Sequence, residues 1–195
     1  AAPLSLAASI VLTCLAPTGA TKGGSAIYLA ASLILFGISA LYHRFYWSPR
    51  WEIVWNRLDH SNIFLLIAGT YTPLSIAILP HDQAVTILSI VWGGALLGIL
   101  LNLFWPTAPR WLATLIYVAL GWVAVWYLPQ FWALGGAVIV WLLLAGGILY
   151  TIGAVVYATK KPDLSPRWFG FHEIFHLCTV LAWACHCVAV YLAVL

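Results

Sequence analysis

The sequence predicts an all-α polytopic membrane protein, a single domain over residues 1–195 with seven transmembrane helices. Three observations predict it. Asp, Glu, Lys and Arg make up 7% of the 195 residues, where a soluble domain carries about 25%. Hydrophobic residues reach 64%, with 12 Trp and a mean hydropathy of +1.01. The few charges fall between apolar stretches, each long enough to cross a bilayer core, which takes about 20 residues per helix. So few charges cannot cover a water-facing surface, and this excludes a cytosolic enzyme, a disordered chain, a secreted disulfide scaffold and a nucleic-acid binder. No run alternates with period two, which excludes outer-membrane strands.

The stretches free of Asp, Glu, Lys and Arg are 1–21, 23–43, 60–81, 83–109, 111–159 and 174–195. The longest holds two spans, with a break expected at Leu128-Pro129-Gln130. The predicted helices are therefore 2–18, 25–44, 60–79, 83–104, 110–128, 132–157 and 170–193. Between Arg44 and Leu58, the spacing of Trp47, Trp51 and Trp55 suggests a short interfacial helix. Trp105, Trp111, Trp126, Tyr127, Trp132 and Trp168 fall near predicted ends, as an aromatic belt does.

Orientation follows from the loop charges. Arg44, Arg50, Arg57, Arg110, Lys160, Lys161 and Arg167 follow the second, fourth and sixth helices, whereas Lys22 stands alone on the other side. The positive-inside rule puts the N-terminus in the cytoplasm and, with seven helices, the C-terminus outside. The sequence opens on Ala and contains no Met, so a native N-terminal segment is expected to precede it. Cys14, Cys178, Cys185 and Cys187 lie within predicted spans without metal-type spacing. They read as small packing residues, and no disulfide is expected.

Polar and ionisable groups in or beside a span are functional candidates. Ser39 and His43 close the second helix, Asp59-His60-Ser61-Asn62 opens the third, and His172-Glu173-Ile174-Phe175-His176 opens the seventh. The orientation puts all three sets at the cytoplasmic level. His172 and His176, at i and i+4, share a helix face and suit one metal. His43 supplies a third nitrogen, giving the three-histidine set of a catalytic zinc site with one open position. Ser39 lies one turn deeper on the His43 face, placed to bond water, Asp59 or substrate. Asp59 either holds the zinc's water or fixes a ligand tautomer. His186 lies about 15 Å farther along the seventh helix, too far for the same metal, and an interhelical hydrogen bond is expected for it. His60 is expected to face headgroups or a neighbouring helix, and His81 to lie in an outer loop.

These residues carry a resemblance. Ser39-x3-His43, then Arg57-Leu58-Asp59-His60-Ser61 leading into Ala68-Gly69-Thr70-Tyr71-Thr72-Pro73, then His172-x3-His176 resemble the bacterial hemolysin III proteins. These belong to the wider progestin and adipoQ receptor family, which includes the adiponectin receptors. The resemblance runs from the second helix to the end, and the three motifs together are specific. It implies seven helices with a cytoplasmic N-terminus, and zinc on the positions His43, His172 and His176 with Asp59 and Ser39 alongside. In the adiponectin receptors that site is associated with hydrolysis of the ceramide amide, and the alkaline ceramidases share the Ser, Asp and His pattern. The family's earlier Glu, Asn and His motif has no match here.

The leading expectation is a zinc-dependent hydrolase of a lipid amide or ester, in a bacterial cytoplasmic membrane, with a membrane lipid as substrate or ligand. Asp59 and Ser39 are its expected catalytic residues. The alternative is a zinc-containing sensor or membrane-homeostasis protein without turnover. His172-Glu173-x-x-His176 also fits a metalloprotease pattern with Glu173 as general base, and a pore-forming cytolysin is the remaining class. The sequence names no protein partner.

Overall fold

A computed structural model describes residues 2–105, 109–162 and 169–195, residue 110 through its backbone only. The regular structure of these residues is helical. Arg167 and Trp168, which entered the loop-charge and aromatic-belt readings, lie outside the described residues.

Six helical segments are long and apolar enough to cross a membrane: Gly19–Arg44, Pro49–Ile78, His81–Phe104, Trp111–Gly135, Ala137–Thr159 and Phe171–Val194. A shorter apolar helix, Ala2–Leu15, precedes them. Large apolar side chains stand exposed along them, among them Leu33, Ile34, Leu96, Leu97, Trp141 and Val188. Helices apolar on their outer faces belong in lipid. The chain is a polytopic integral membrane protein.

The chain divides into two compact units. The first is Ala1–Ala108 with Ala193–Leu195, and the second is Pro109–Leu192. The first contains α1 (Ala2–Leu15), α2 (Gly19–Arg44), α3 (Pro49–Ile78) and α4 (His81–Phe104). Thr18 caps α2 in a reciprocal capping box with Thr21, satisfying donors that the first turn leaves open. Helix α3 starts at Ser48-Pro49, where proline's missing N–H costs nothing. The interfacial helix expected between Arg44 and Leu58 is the opening of α3 itself. Residues 49–59 continue unbroken into the span, because after Pro49 no glycine or proline interrupts the helix before Gly69. Trp47 and Trp55 stack at 4.7 Å across this entry. His81, expected in a loop, is the first residue of α4, set there by the Pro80 cap.

Helices α2 and α3 pack antiparallel in one continuous register. A Cβ at Gly69 would lie 2.6 Å from the Ala31 Cβ, and one at Gly24 would lie 3.1 Å from the Pro73 Cα. Tyr28, Ala31, Phe64 and Ala68 are fully buried in this layer. Between α3 and α4, Trp92 Nε1 donates to Thr72 Oγ1 at 3.1 Å. Asn102 Nδ2 donates to the Arg57 carbonyl at 3.2 Å and to Ser61 Oγ at 3.0 Å.

The second unit begins with α5 (Arg110–Gly121), whose path continues through a 3-10 stretch (Trp122–Tyr127), one α-turn (Leu128–Gln130) and a π-helical turn (Phe131–Gly135). The break expected at Leu128-Pro129-Gln130 lies instead at Gly136, whose φ of +88° is a conformation suited to glycine. Pro129 sits in the first turn of its short segment, where no donor is required, so the chain stays helical through it. Trp132 thus falls within the fifth segment rather than at the start of the sixth. Next come α6 (Ala137–Thr159) and α7 (Phe171–Val194). Trp122 Nε1 donates to Thr151 Oγ1 on α6 at 2.9 Å. Glycines let α6 and α7 approach closely: a Cβ at Gly153 would meet the Cys178 Cβ at 3.0 Å, and one at Gly146 would overlap the His186 ring. All four cysteines carry free thiols.

Candidate metal centre

The first unit holds His43, Ser39 and Asp59. His43 lies in the last turn of α2 and Asp59 three turns into α3. The antiparallel register brings them together, with His43 Nε2 3.9 Å from Asp59 Oδ2. That is longer than a direct hydrogen bond. Asp59 therefore neighbours His43 without clamping its tautomer, and the same Oδ2 lies 4.0 Å from His60 Nδ1 on its own helix. The Asp59 side chain is only 14% exposed, against 38% for His43, so the acid is drawn inward and the imidazole stands at the edge. One turn outward, Asn56 Nδ2 donates to Tyr42 Oη at 3.0 Å and fastens the end of α2 to α3. Tyr42 also packs against the His43 ring at 4.6 Å. Ser39 is half-buried one turn deeper on α2 and makes no hydrogen bond to Asp59.

His60, expected to face headgroups or a neighbouring helix, stands beside Asp59, its Nδ1 4.0 Å from Asp59 Oδ2. Its Nδ1–H donates to the Asn56 carbonyl of its own helix at 2.8 Å, the back-bond a polar residue makes to i−4 in an apolar helix.

The second unit holds His172 and His176. Helix periodicity sets them on one face of α7, and their Nε2 atoms converge to 3.0 Å. Tetrahedral zinc holds two imidazole nitrogens about 3.3 Å apart, so the pair is close to the bite one ion requires. Tyr157 of α6 packs on Phe175 at 5.1 Å, with its ring 6.5 Å from that of His172.

Glu173, between the histidines, has a different use. The Gly170 carbonyl accepts the first helical bond, from Ile174 N at 3.1 Å, and Glu173 Oε2 accepts from Gly170 N at 2.9 Å. This is the carboxylate half of a capping box, with Glu at N3 reaching back to the cap residue. Three residues below a glycine at a helix start was the sequence signal for it.

His186 makes the interhelical bond expected of it, Nε2–H donating to the Leu143 carbonyl of α6 at 3.2 Å. Its ring also meets Tyr150 edge-on at 5.4 Å. Asn102, Asn56 and Tyr42, which fasten α3 to its neighbours, received no role from sequence. A lone Asn in the apolar stretch 83–109 was the available signal for Asn102.

Comparison with known proteins agrees with these motifs. The Haemolysin-III related family matches residues 1–187. The chain is 36% identical over 152 residues to Hemolysin-3 of Bacillus cereus, covering 77% of this chain and 66% of that protein. It is 37% identical over 147 residues to a Hemolysin-3 homolog of Bacillus subtilis, covering 74% and 68%. A Progestin and adipoQ receptor-like protein 1 of Caenorhabditis elegans is 25% identical over 173 residues, covering 80% of this chain and 40% of that protein. The chain thus spans about two thirds of the length of its bacillary relatives. With its membrane helices, its ordered Ser, Asp and His motifs and these similarities, the chain belongs to the hemolysin III family, within the progestin and adipoQ receptor group.

Proposed function

We propose that this chain is a zinc-dependent hydrolase of a lipid amide or ester, in which His43, His172 and His176 together hold one ion. The observation that carries the reading is the convergence of the His172 and His176 Nε2 atoms at 3.0 Å. Three neutral imidazoles leave one position open, as catalytic zinc sites do. Bound zinc supplies Lewis acidity, polarising the scissile carbonyl and acidifying water.

Asp59 does the proton work. With Oδ2 3.9 Å from His43, it stands beside one of the three proposed ligands. Its carboxylate accepts a proton from the attacking water as the water oxygen bonds to the carbonyl carbon. The bond to nitrogen or alkoxide oxygen then breaks, and Asp59 returns the proton to that leaving atom. The products are a carboxylic acid and an amine or alcohol. Ser39, one turn deeper on α2, is placed to orient the linkage.

The capping bond of Glu173 supports Asp59 over Glu173 as the base, and so a lipid hydrolase over a protease. Loop charges support the inner side of a bacterial cytoplasmic membrane as the place of the chemistry. On this reading α1 is the first of seven spans, short at 14 residues.

Purified protein incubated with labelled amide and ester lipids, with and without a chelator, tests the proposal. Release of fatty acid that stops on chelation is expected. Lipid binding with no metal-dependent cleavage would instead indicate a sensor.

A further inference from the structure

The α2–α3 interface carries polar residues at matched levels. Asn56 meets Tyr42, and Asp59 meets His43 three residues deeper. The same register continues to Gly69 beside Ala31 and Gly24 beside Pro73. It puts Asn62, three residues beyond Asp59, level with Ser39. Positions 59 and 62 lie within about 60° of each other around the helix and about 4.5 Å apart along it.

Three side chains of α3, those of Trp55, Asn62 and Ser75, carry a buried polar atom with no hydrogen-bond partner, and of these Asn62 lies nearest in sequence to Asp59. It is 8% exposed, yet its Nδ2 is fully buried with no hydrogen-bond partner. Ser61, beside it, is used by Asn102, and His60 by Asn56. Thr70 and Thr72, deeper in α3, bond back to the carbonyls of Leu66 and Ala68. An amide donor left unpaired in a membrane protein is costly, and such groups are retained where something else pairs with them. Ser39, level with it on α2, is half-buried and so is itself reachable from the surface.

We propose that the Asn62 amide donates a hydrogen bond to the carbonyl oxygen of the lipid linkage, making Asn62 a substrate-binding residue one turn deeper than Asp59. The inference rests on the lipid-hydrolase reading for its ligand class, and deepens it. An amide N–H suits the oxygen of an acyl amide or ester, and also the negative charge that grows on it during attack. An ether linkage offers no such oxygen.

The experiment measures binding to the purified, zinc-stripped full chain, so that turnover does not intervene. The probes are a fluorescent N-acyl amide lipid and the same fluorescent chain joined through an ether. Wild type should prefer the acyl probe. Asn62→Ala should weaken acyl binding about tenfold, the worth of one buried hydrogen bond, with ether binding unchanged. Asn62→Leu, which keeps the volume, should behave alike, and both variants should reload zinc as wild type does. Equal acyl affinity in the variants and wild type, or no acyl preference in wild type, overturns the inference. Lipid turnover by the zinc-loaded protein is read separately. Wild type that binds the acyl probe through Asn62 but never cleaves it would sink the hydrolase reading alone. Full cleavage with unchanged affinity in Asn62→Ala would sink this inference alone.

Discussion

His172 Nε2 and His176 Nε2 lie 3.0 Å apart on one face of α7, while His186, on the same helix, gives its Nε2–H to the Leu143 carbonyl of α6. One helix thus carries two histidines converging on each other and a third already engaged. His176→Ala should therefore lose zinc, and His186→Ala should keep it. The cost of His186→Ala should be stability, about 0.5–1.5 kcal/mol for an interhelical hydrogen bond in a membrane. Elemental analysis and thermal unfolding in detergent separate the two effects.

Asp59→Asn should retain zinc and lose turnover. Asn keeps the size of the side chain but cannot accept the proton, so kcat should fall about 10²–10⁴-fold with little change in KM. Zinc loss as complete as in a histidine variant would make Asp59 a ligand and favour the sensor. Metal analysis beside steady-state rates decides it.

Glu173→Gln should leave activity near the wild-type level, since Gln also closes a capping box. Glu173→Ala should destabilise the start of α7 by about 1 kcal/mol, with activity following stability. Abolished turnover in a well-folded Glu173→Gln would restore the protease reading. Rates and melting curves for the pair are the check.

Topology is testable without any substrate. A reporter fused after Leu195 should read as external, and one inserted at Lys160–Lys161 as cytoplasmic. A cytoplasmic C-terminus would remove α1 from the count of spans or reverse the loop-charge argument.

Much of this was legible in the sequence because lipid leaves few options. Charges are rare in spans, so the gaps between them located both ends of α4 and α7 to within two residues and the end of α2, which begins six residues earlier than expected, before Lys22. The i, i+4 spacing likewise put His172 and His176 on one face. What the gaps could not show was where a helix continues past a charge. Glu52, Arg57 and Asp59 lie inside α3, since its opening turns need not be apolar. Nor could composition choose between Pro129 and Gly136 as the turn. Proline is harmless in a first turn, whereas the +88° φ of Gly136 is apparent only in three dimensions. The roles of Glu173 and Asn62 turned on a partner present in one case and missing in the other, and partners are not written in a single chain.

Zinc content of His43→Ala tests the central claim most directly, because His43 stands on α2 and the other two histidines on α7. The account predicts about one zinc per wild-type chain and a sharp fall in His43→Ala, with the fold intact by circular dichroism. A folded His43→Ala that keeps its full zinc would contradict it, leaving the ion to the α7 histidines and ligands other than His43.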